Sequence, residues 1–282
     1  MRWLTTRFEI DLGQPRVMGI VNLTPDSFSD GGRLSTEHLA LRHAEQLLRE
    51  GADLLDLGAE SSRPGAPPVS ADEEWTRLEP LLREALRWGV PVSLDTCKPA
   101  VMARGLDLGV DIINDIQAMQ APGALDLLSA HPRVGVCLMH MRGQPGTMQQ
   151  HTQYSNVVQD VRDFLGQRLQ ALQAAGVGRE RVTLDPGLGF AKTPEQNLAL
   201  SRHLRELVAL GQPVLVGWSR KSTLGWVTGR PVQERLAASV AAALLAAQAG
   251  ARVLRVHDVA ATVDALRLHR AVMAPAGQSV PT

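Results

Sequence analysis

Eight short apolar runs constrain this chain more than any other feature. Each closes on a polar or glycine-rich turn, and each is followed by a stretch of helical spacing. They occupy residues 17–22, 53–58, 92–96, 111–116, 135–140, 182–186, 214–219 and 253–258. Runs this short and this continuously apolar suit parallel strands covered on both faces. The segments between them carry amphipathic stripes, such as Ala40, Ala44, Leu47 and Leu48, or Trp75, Leu78, Leu82 and Ala85. Thr193-Pro194-Glu195 reads as a cap with proline at the first helical position. Gly51 and Gly250 stand where helices should stop. Eight strand–helix units in 282 residues predict an α/β chain folded as a single (β/α)8 TIM barrel. A doubly wound open sheet shows the same alternation. The count of eight and the lack of a Gly-x-Gly-x-x-Gly turn after the first run favour the barrel. One domain is expected over 1–282, with a core at 16–272. A short N-terminal hairpin should close the barrel floor, and 275–282 should form a mobile tail.

Charge and cysteine content narrow the function. Lys plus Arg number 29 and Asp plus Glu number 29, so the formal net charge is zero. A nucleic-acid or membrane partner recruited by bulk electrostatics is not expected. Aromatic residues are 4% of the chain, too few to build base-stacking platforms. Cys97 and Cys137 are the two cysteines, which excludes a disulfide scaffold and a Cys-x-x-Cys zinc site. Residues 1–11 lack the apolar centre of a signal peptide. The longest apolar stretch, 236–251, is interrupted by Ser239, Gln248 and Gly250, and reads as a buried helix rather than a membrane span. A cytoplasmic protein is expected.

In a (β/α)8 barrel the active site lies at the carboxyl ends of the strands. Those ends are polar throughout this chain: Asn22, Glu60 to Arg63, Asp95, Asn114-Asp115, His140, Asp185, Ser219 to Ser222, and Arg255 with His257-Asp258. Taken singly, each Asp or Asn is better explained by bonds to turn amides than by catalysis. The full ring is not. Strand alternation forbids Asn114 and Asp115 from both facing inward, whereas Arg255 and His257 share a face. A cation and an imidazole two residues apart suit an anionic group such as phosphate. The alternative is that Arg255 pairs with a neighbouring carboxylate. Segments 24–32 and 61–68 are rich in Gly, Pro and Ser and have the composition of lids. Phe28 is either a packing anchor there or a residue that closes over a flat ligand. The turn from Gly217 to Thr223 offers backbone amides, Lys221 and Ser222 to an anion, but not the glycine spacing of a P-loop.

These motifs resemble a known family. The stretch from Met18 to Gly32, Asp56-Leu57-Gly58 with Glu60-Ser61-Ser62-Arg63-Pro64-Gly65, Asp95-Thr96, Ile113-Asn114-Asp115, Leu138-Met139-His140-Met141, Asp185-Pro186-Gly187-Leu188-Gly189-Phe190, Ser219-Arg220-Lys221-Ser222 and Arg255-Val256-His257-Asp258 occur in this order. Together they resemble the signatures of dihydropteroate synthases over nearly the whole chain. The resemblance implies condensation of 6-hydroxymethyl-7,8-dihydropterin diphosphate with p-aminobenzoate, using Mg²⁺, to give dihydropteroate and pyrophosphate in folate biosynthesis. It also implies a homodimer and inhibition by sulfonamides.

Carried over residue by residue, Asp185 accepts from the pterin edge, Asn114 and Asp95 bond the same ring, and Met139 packs against it. Lys221 bonds its acceptor side, and Arg255 lies along the ring. His257 and Arg63 meet the diphosphate, and Asn22 ligates the magnesium. Phe28, Ser62, Pro64, Phe190, Lys221 and Ser222 form the p-aminobenzoate pocket. The implied catalytic set is Asp95, Lys221, Arg255 and His257. Ser62 replaces the family's frequent threonine, and Cys97 stands where an aromatic residue is common. His140 reads as structural. Two other functions share the barrel: a methyltransferase passing a methyl group from a reduced folate to a corrinoid protein, and a non-catalytic pterin-binding paralogue. The lid motif and the Ser219–Ser222 seat weigh against the first. The presence of Asn22, Asp95, Lys221 and His257 weighs against the second.

Overall fold

The computed structural model describes residues 1–23, 36–61, 65 and 68–274. Eight parallel strands form its centre: β3 (Arg16–Asn22), β4 (Leu54–Gly58), β5 (Val92–Asp95), β6 (Ile112–Asp115), β7 (Gly135–Met139), β8 (Val182–Asp185), β9 (Leu215–Val216) and β10 (Val253–Val256). They pair in the order β8-β7-β6-β5-β4-β3-β10-β9. A parallel bridge between Leu184 and Val214 joins the two ends. There the Leu184 amide donates to the Pro213 carbonyl at 2.9 Å. The ring is the expected barrel, and the open-sheet alternative is set aside.

Helices α1 (Thr36–Arg49), α2 (Ala71–Ala85), α3 (Pro99–Leu108), α4 (Ala124–Ala130), α5 (Val157–Ala174), α6 (Pro194–Arg202), α7 (Leu204–Val208), α8 (Ser222–Thr228), α9 (Leu236–Gln248) and α10 (Val259–Met273) lie between and after the strands. Alternation sorts each strand into two faces. Leu55, Leu57, Leu94, Ile113 and Leu138 belong to the outer layer with Ala40, Ala44 and Leu47 of α1 and Leu78, Leu82 and Ala85 of α2. Gly19 lets α1 approach β3 closely, since a Cβ there would lie 3.0 Å from a Leu47 methyl carbon. Thr193 caps α6 in a complete capping box with Gln196. Gly51 and Gly250 take left-handed φ of +99° and +107° just past α1 and α9.

The inner face splits into a dry floor and a polar mouth. Met18, Leu54, Ile112, Cys137, Leu215 and Val253 pack at the floor against Trp3, Ile10 and Leu12. Those three come from the antiparallel hairpin of β1 (Arg2–Leu4) and β2 (Glu9–Asp11) and the residue that follows it. Trp3 is fully buried, and its indole N–H donates to the Arg181 carbonyl at 2.9 Å. The hairpin plugs the floor, as expected.

The 236–251 stretch is not a wholly buried helix. Ser239, Ala243, Ala246 and Ala247 of α9 face inward, but Leu245 is 65% exposed. A helix apolar all round carries no pattern to show which face is covered.

Candidate active site

Register brings four strand ends to one level. Asn22 lies opposite Gly58, Gly58 opposite Asp95, and Asp95 opposite Asn114. Gly58 has no side chain to fill the mouth, and a Cβ there would lie 3.3 Å from that of Asp95. Further round, Met139 lies opposite Asp185.

Arg255 reaches inward from β10 and holds two carboxylates. Its Nε donates to Asp56 at 2.6 Å and one terminal nitrogen donates to Asp95 at 2.7 Å. The Asn114 amide donates to the Asp56 oxygens at 3.2 and 3.4 Å. Asp56 is fully buried. Burial alone would lower the Arg255 pKa, but the two carboxylates outweigh it and raise the value. Asp95 is pushed up to about 7: burial disfavours its charge, Arg255 opposes that, and Asp56 adds repulsion. Of the two readings of Arg255, the carboxylate pairing is the one present. As alternation requires, Asn114 faces this cluster while Asp115 turns to the Gln117 and Met119 amides, both at 2.7 Å.

Across the mouth, Asp185 ends β8. It accepts from the Gly187 amide at 2.7 Å, and its pKa is raised by burial against the pull of Lys221. The Lys221 ammonium donates to the Leu188 carbonyl and lies 4.7 Å above the Phe190 ring. Burial lowers its pKa to about 8. Met139, Met141, Met148 and Ala191 form an apolar wall beside Ile116 and Phe190. Such polarizable, adaptable surface suits a flat ligand.

His257 follows β10, and its Nδ1 lies 3.0 Å from the Ser219 hydroxyl. It borders an open cleft of about 390 Å³ with Arg42, His43, Glu50, Arg220 and Asp258 among its walls. Ser222 opens α8 and is exposed, next to Lys221 at the cap. On the β4 side, the Lys98 ammonium bridges Glu60 and the fully buried Glu74, both at 2.6 Å. Glu60 also accepts from the Val69 amide at 3.0 Å, so one carboxylate ties both ends of segment 61–68. Burial pushes the Cys97 thiol up to about 12, which disfavours the thiolate. His140, pushed down to about 2 by burial and by Lys192, is neutral.

Of the expected site residues, Asn22, Asp95, Asn114, Met139, Asp185, Phe190, Lys221, Ser222, Arg255 and His257 gather at this mouth. Phe28, Ser62, Arg63 and Pro64 lie outside the described residues. Asp56 was absent from the expected set. Its signal was present, because Asp56 shares a strand face with Leu54 and Gly58 and so points into the barrel. Lys192, which braces the turn after Asp185, was also absent. Among the described residues no cluster of three His, Cys, Asp or Glu could hold a metal ion. No helix among them is long and apolar enough to cross a membrane.

A barrel mouth with a buried guanidinium between two carboxylates, a third carboxylate facing a lysine, and an apolar wall beside them defines an enzyme pocket for a flat, polar heterocycle. Residues 18–257 match the model of the pterin binding enzymes. The chain belongs to that family. It is 52% identical over 276 residues to the dihydropteroate synthase of Neisseria meningitidis serogroup B, covering 96% of this chain and 97% of that one. It is also similar to Xanthomonas albilineans dihydropteroate synthase solved with 4-aminobenzoic acid (49% identity, TM-score 0.90, 95% and 96% of the two chains). The same enzyme with 7,8-dihydropteroate gives 45% identity, TM-score 0.90, and 98% and 100% coverage. Yersinia pestis dihydropteroate synthase in a sulfonamide drug complex matches at 43% identity, TM-score 0.91, and 96% and 99% coverage.

Proposed function

We propose that this chain is a dihydropteroate synthase acting in the cytoplasm. It joins 6-hydroxymethyl-7,8-dihydropterin diphosphate to p-aminobenzoate. The observation that carries this reading is the convergence of Asp185, Asn114, Asp95, Lys221 and Arg255 on one mouth, in a chain so closely related to synthases along its length.

Asp185 accepts the paired donors of the pterin's amino-pyrimidinone edge, Asn114 supplies both a donor and an acceptor, and Lys221 donates to the acceptor side. Met139 and Phe190 cover the ring faces, and Arg255 lies along the ring. The bond from the pterin methylene carbon to the diphosphate oxygen breaks, and the electron pair leaves with the diphosphate. His257 meets the departing diphosphate, and the family resemblance assigns Arg63, outside the described residues, to the same group. Ionised Asp95 stabilises the positive charge left on the pterin-methyl group. The neutral arylamine then attacks that carbon, forms the C–N bond and loses one proton to solvent. No strong base is needed. The p-aminobenzoate carboxylate sits by Ser222 and Lys221, with Phe190 beside its ring; the family resemblance assigns Phe28, Ser62 and Pro64, outside the described residues, to the same pocket. Sulfonamides occupy the same pocket.

The expected Mg²⁺ would be held by the Asn22 amide, a neutral oxygen donor among the described residues. That fits an ion which draws most of its oxygens from water and phosphate and enters with the diphosphate. When bound it neutralises phosphate charge.

Trp226, Val227, Leu245, Leu268 and Val272, on α8 to α10, are each more than half exposed. We assign these side chains to contact with a second copy of the chain.

The test incubates the pure protein with the dihydropterin diphosphate, p-aminobenzoate and Mg²⁺, and detects dihydropteroate by mass spectrometry. Product from the parent and at most a trace from Lys221→Ala supports the reading. Pterin binding without product sinks it.

A further inference from the structure

The mechanism leaves Lys192, a buried ionisable group, unused. Lys192 follows the turn after β8 and is 3% exposed. Its Nζ lies 2.9 Å from the Gly187 carbonyl oxygen, 2.9 Å from that of Phe190, 3.0 Å from His140 Nδ1 and 3.3 Å from the His140 carbonyl oxygen. An ammonium has three N–H donors and no acceptor, and this cage is made of acceptors alone. His140 is locked as its counterpart. Its ring packs edge-on against Phe164 with centroids 4.9 Å apart, and because an ammonium can only donate, the neutral ring accepts at Nδ1 and carries its proton on Nε2.

The turn needs such a brace. Gly187, Gly189 and Ala191 all take left-handed φ, at +66°, +82° and +51°. For an alanine this conformation costs about 1–2 kcal/mol. The run of left-handed residues points the Gly187 and Phe190 carbonyls to the same side, where the ammonium lies. The other side of the turn faces the mouth. There Asp185 accepts from the Gly187 amide, Lys221 donates to the Leu188 carbonyl, and the Phe190 ring lies under Lys221. Asn197 and Gln149 hold Gly189 in the middle of the turn, at 2.8 and 3.1 Å. Lys192 holds its two ends.

We infer that Lys192 is a positioning residue: by binding the Gly187 and Phe190 carbonyls from behind, it sets where Asp185 and Phe190 meet the two substrates. The inference rests on the reading of this mouth as a dihydropteroate synthase site. Lys192 itself touches no substrate. Burial lowers its pKa and the charge of Asp185 opposes that, so the two groups also sense each other through the turn.

The test has two arms on the full-length protein. In a ¹H–¹⁵N spectrum of lysine-labelled parent, Lys192 should give an exchange-protected ammonium signal that is missing from Lys192→Gln. The Kd of the dihydropterin diphosphate and the KM for p-aminobenzoate are then measured for parent, Lys192→Met and Lys192→Gln. In Lys192→Met, which has the stem but no donors, both constants should rise about tenfold or more per folded site. In Lys192→Gln, with two N–H donors, they should rise less. Saturated kcat should fall by less than about threefold. A lysine that merely stabilised the fold would lower the Tm and leave both constants unchanged. That outcome, or the absence of a protected ammonium in the parent, overturns the inference. Should Lys192→Met not fold, Lys192→Gln and the ammonium signal decide. A parent that makes no dihydropteroate refutes the proposed function instead, and the pterin Kd and ammonium signal still judge the role of Lys192.

Discussion

Replacing Asp56 with asparagine separates the roles of the two carboxylates on Arg255. The substitution keeps shape and one acceptor oxygen but removes a charge that is fully buried and 2.6 Å from the guanidinium. Stripping one partner from a buried ion pair costs about 3–5 kcal/mol. Here Arg255 keeps Asp95 at 2.7 Å, and the new amide still accepts. The loss should therefore fall to that of a charge-assisted hydrogen bond, about 2–3 kcal/mol. With an unfolding entropy of about 2.1 cal/mol/K per residue, a chain of 282 residues loses about 1.7 °C per kcal/mol, so the Tm should drop about 3–5 °C. The same change acts on Asp95. Burial and Asp56 raise its pKa to about 7 while Arg255 lowers it, so removing Asp56 moves it down. In the parent the folded value lies above the unfolded value of 3.8. The native state therefore binds more protons between about pH 4 and 7, and the stability from this group is lost as pH rises through that window. Asp56→Asn narrows the window. Carboxyl ¹³C titration of Asp95 and the pH dependence of kcat/KM should both show the acid limb moving to lower pH. An unchanged Tm, or a limb that stays put or moves up, would refute the view of Arg255 as a bridge with Asp56 pushing on Asp95.

Other perturbations test the rest of the mouth. Gly187→Ala should cost more than about 2 kcal/mol, because an alanine there is left-handed and its Cβ overlaps the His140 carbonyl; urea unfolding checks the cost, and pterin titration should show affinity lost as well. Lys98→Met leaves Glu60 and the buried Glu74 without a counter-charge and should destabilise by about 3 kcal/mol, with Lys98→Met/Glu74→Leu recovering most of it. The pKa of Lys221, lowered to about 8, gives pterin binding an alkaline limb near that pH, and Lys221→Arg should abolish the limb. Between about pH 8 and 10.5 the unfolded chain binds more protons at this lysine than the native chain, so its contribution to stability rises with pH across that interval.

What could be read from the residues alone follows from where the information is local. Strand and helix periodicities are local, so the eight units and their order were legible. So were the caps at Thr193, Gly51 and Gly250. The polar ring was legible because one rule of barrels, that ligands meet the carboxyl ends of strands, turns a linear list into a circle. Attention to strand ends also hid Asp56, which sits one pleat lower than Asp95. The alternation Leu54, Asp56, Gly58 states that this carboxylate points inward, and a charge inside a barrel demands a partner. Arg255 is that partner, and the two are 199 positions apart in the chain. Lys192 was hidden for a different reason. Nothing in Phe190-Ala191-Lys192 distinguishes a solvated lysine from a buried one. Its cage is supplied by His140, which follows β7, and by carbonyls that converge only once Gly187, Gly189 and Ala191 turn left-handed. Groups that touch ligand lie where a barrel's topology says they must. The groups that aim them are set by backbone conformation and by strands distant in sequence, and they become visible only when the turn has been built.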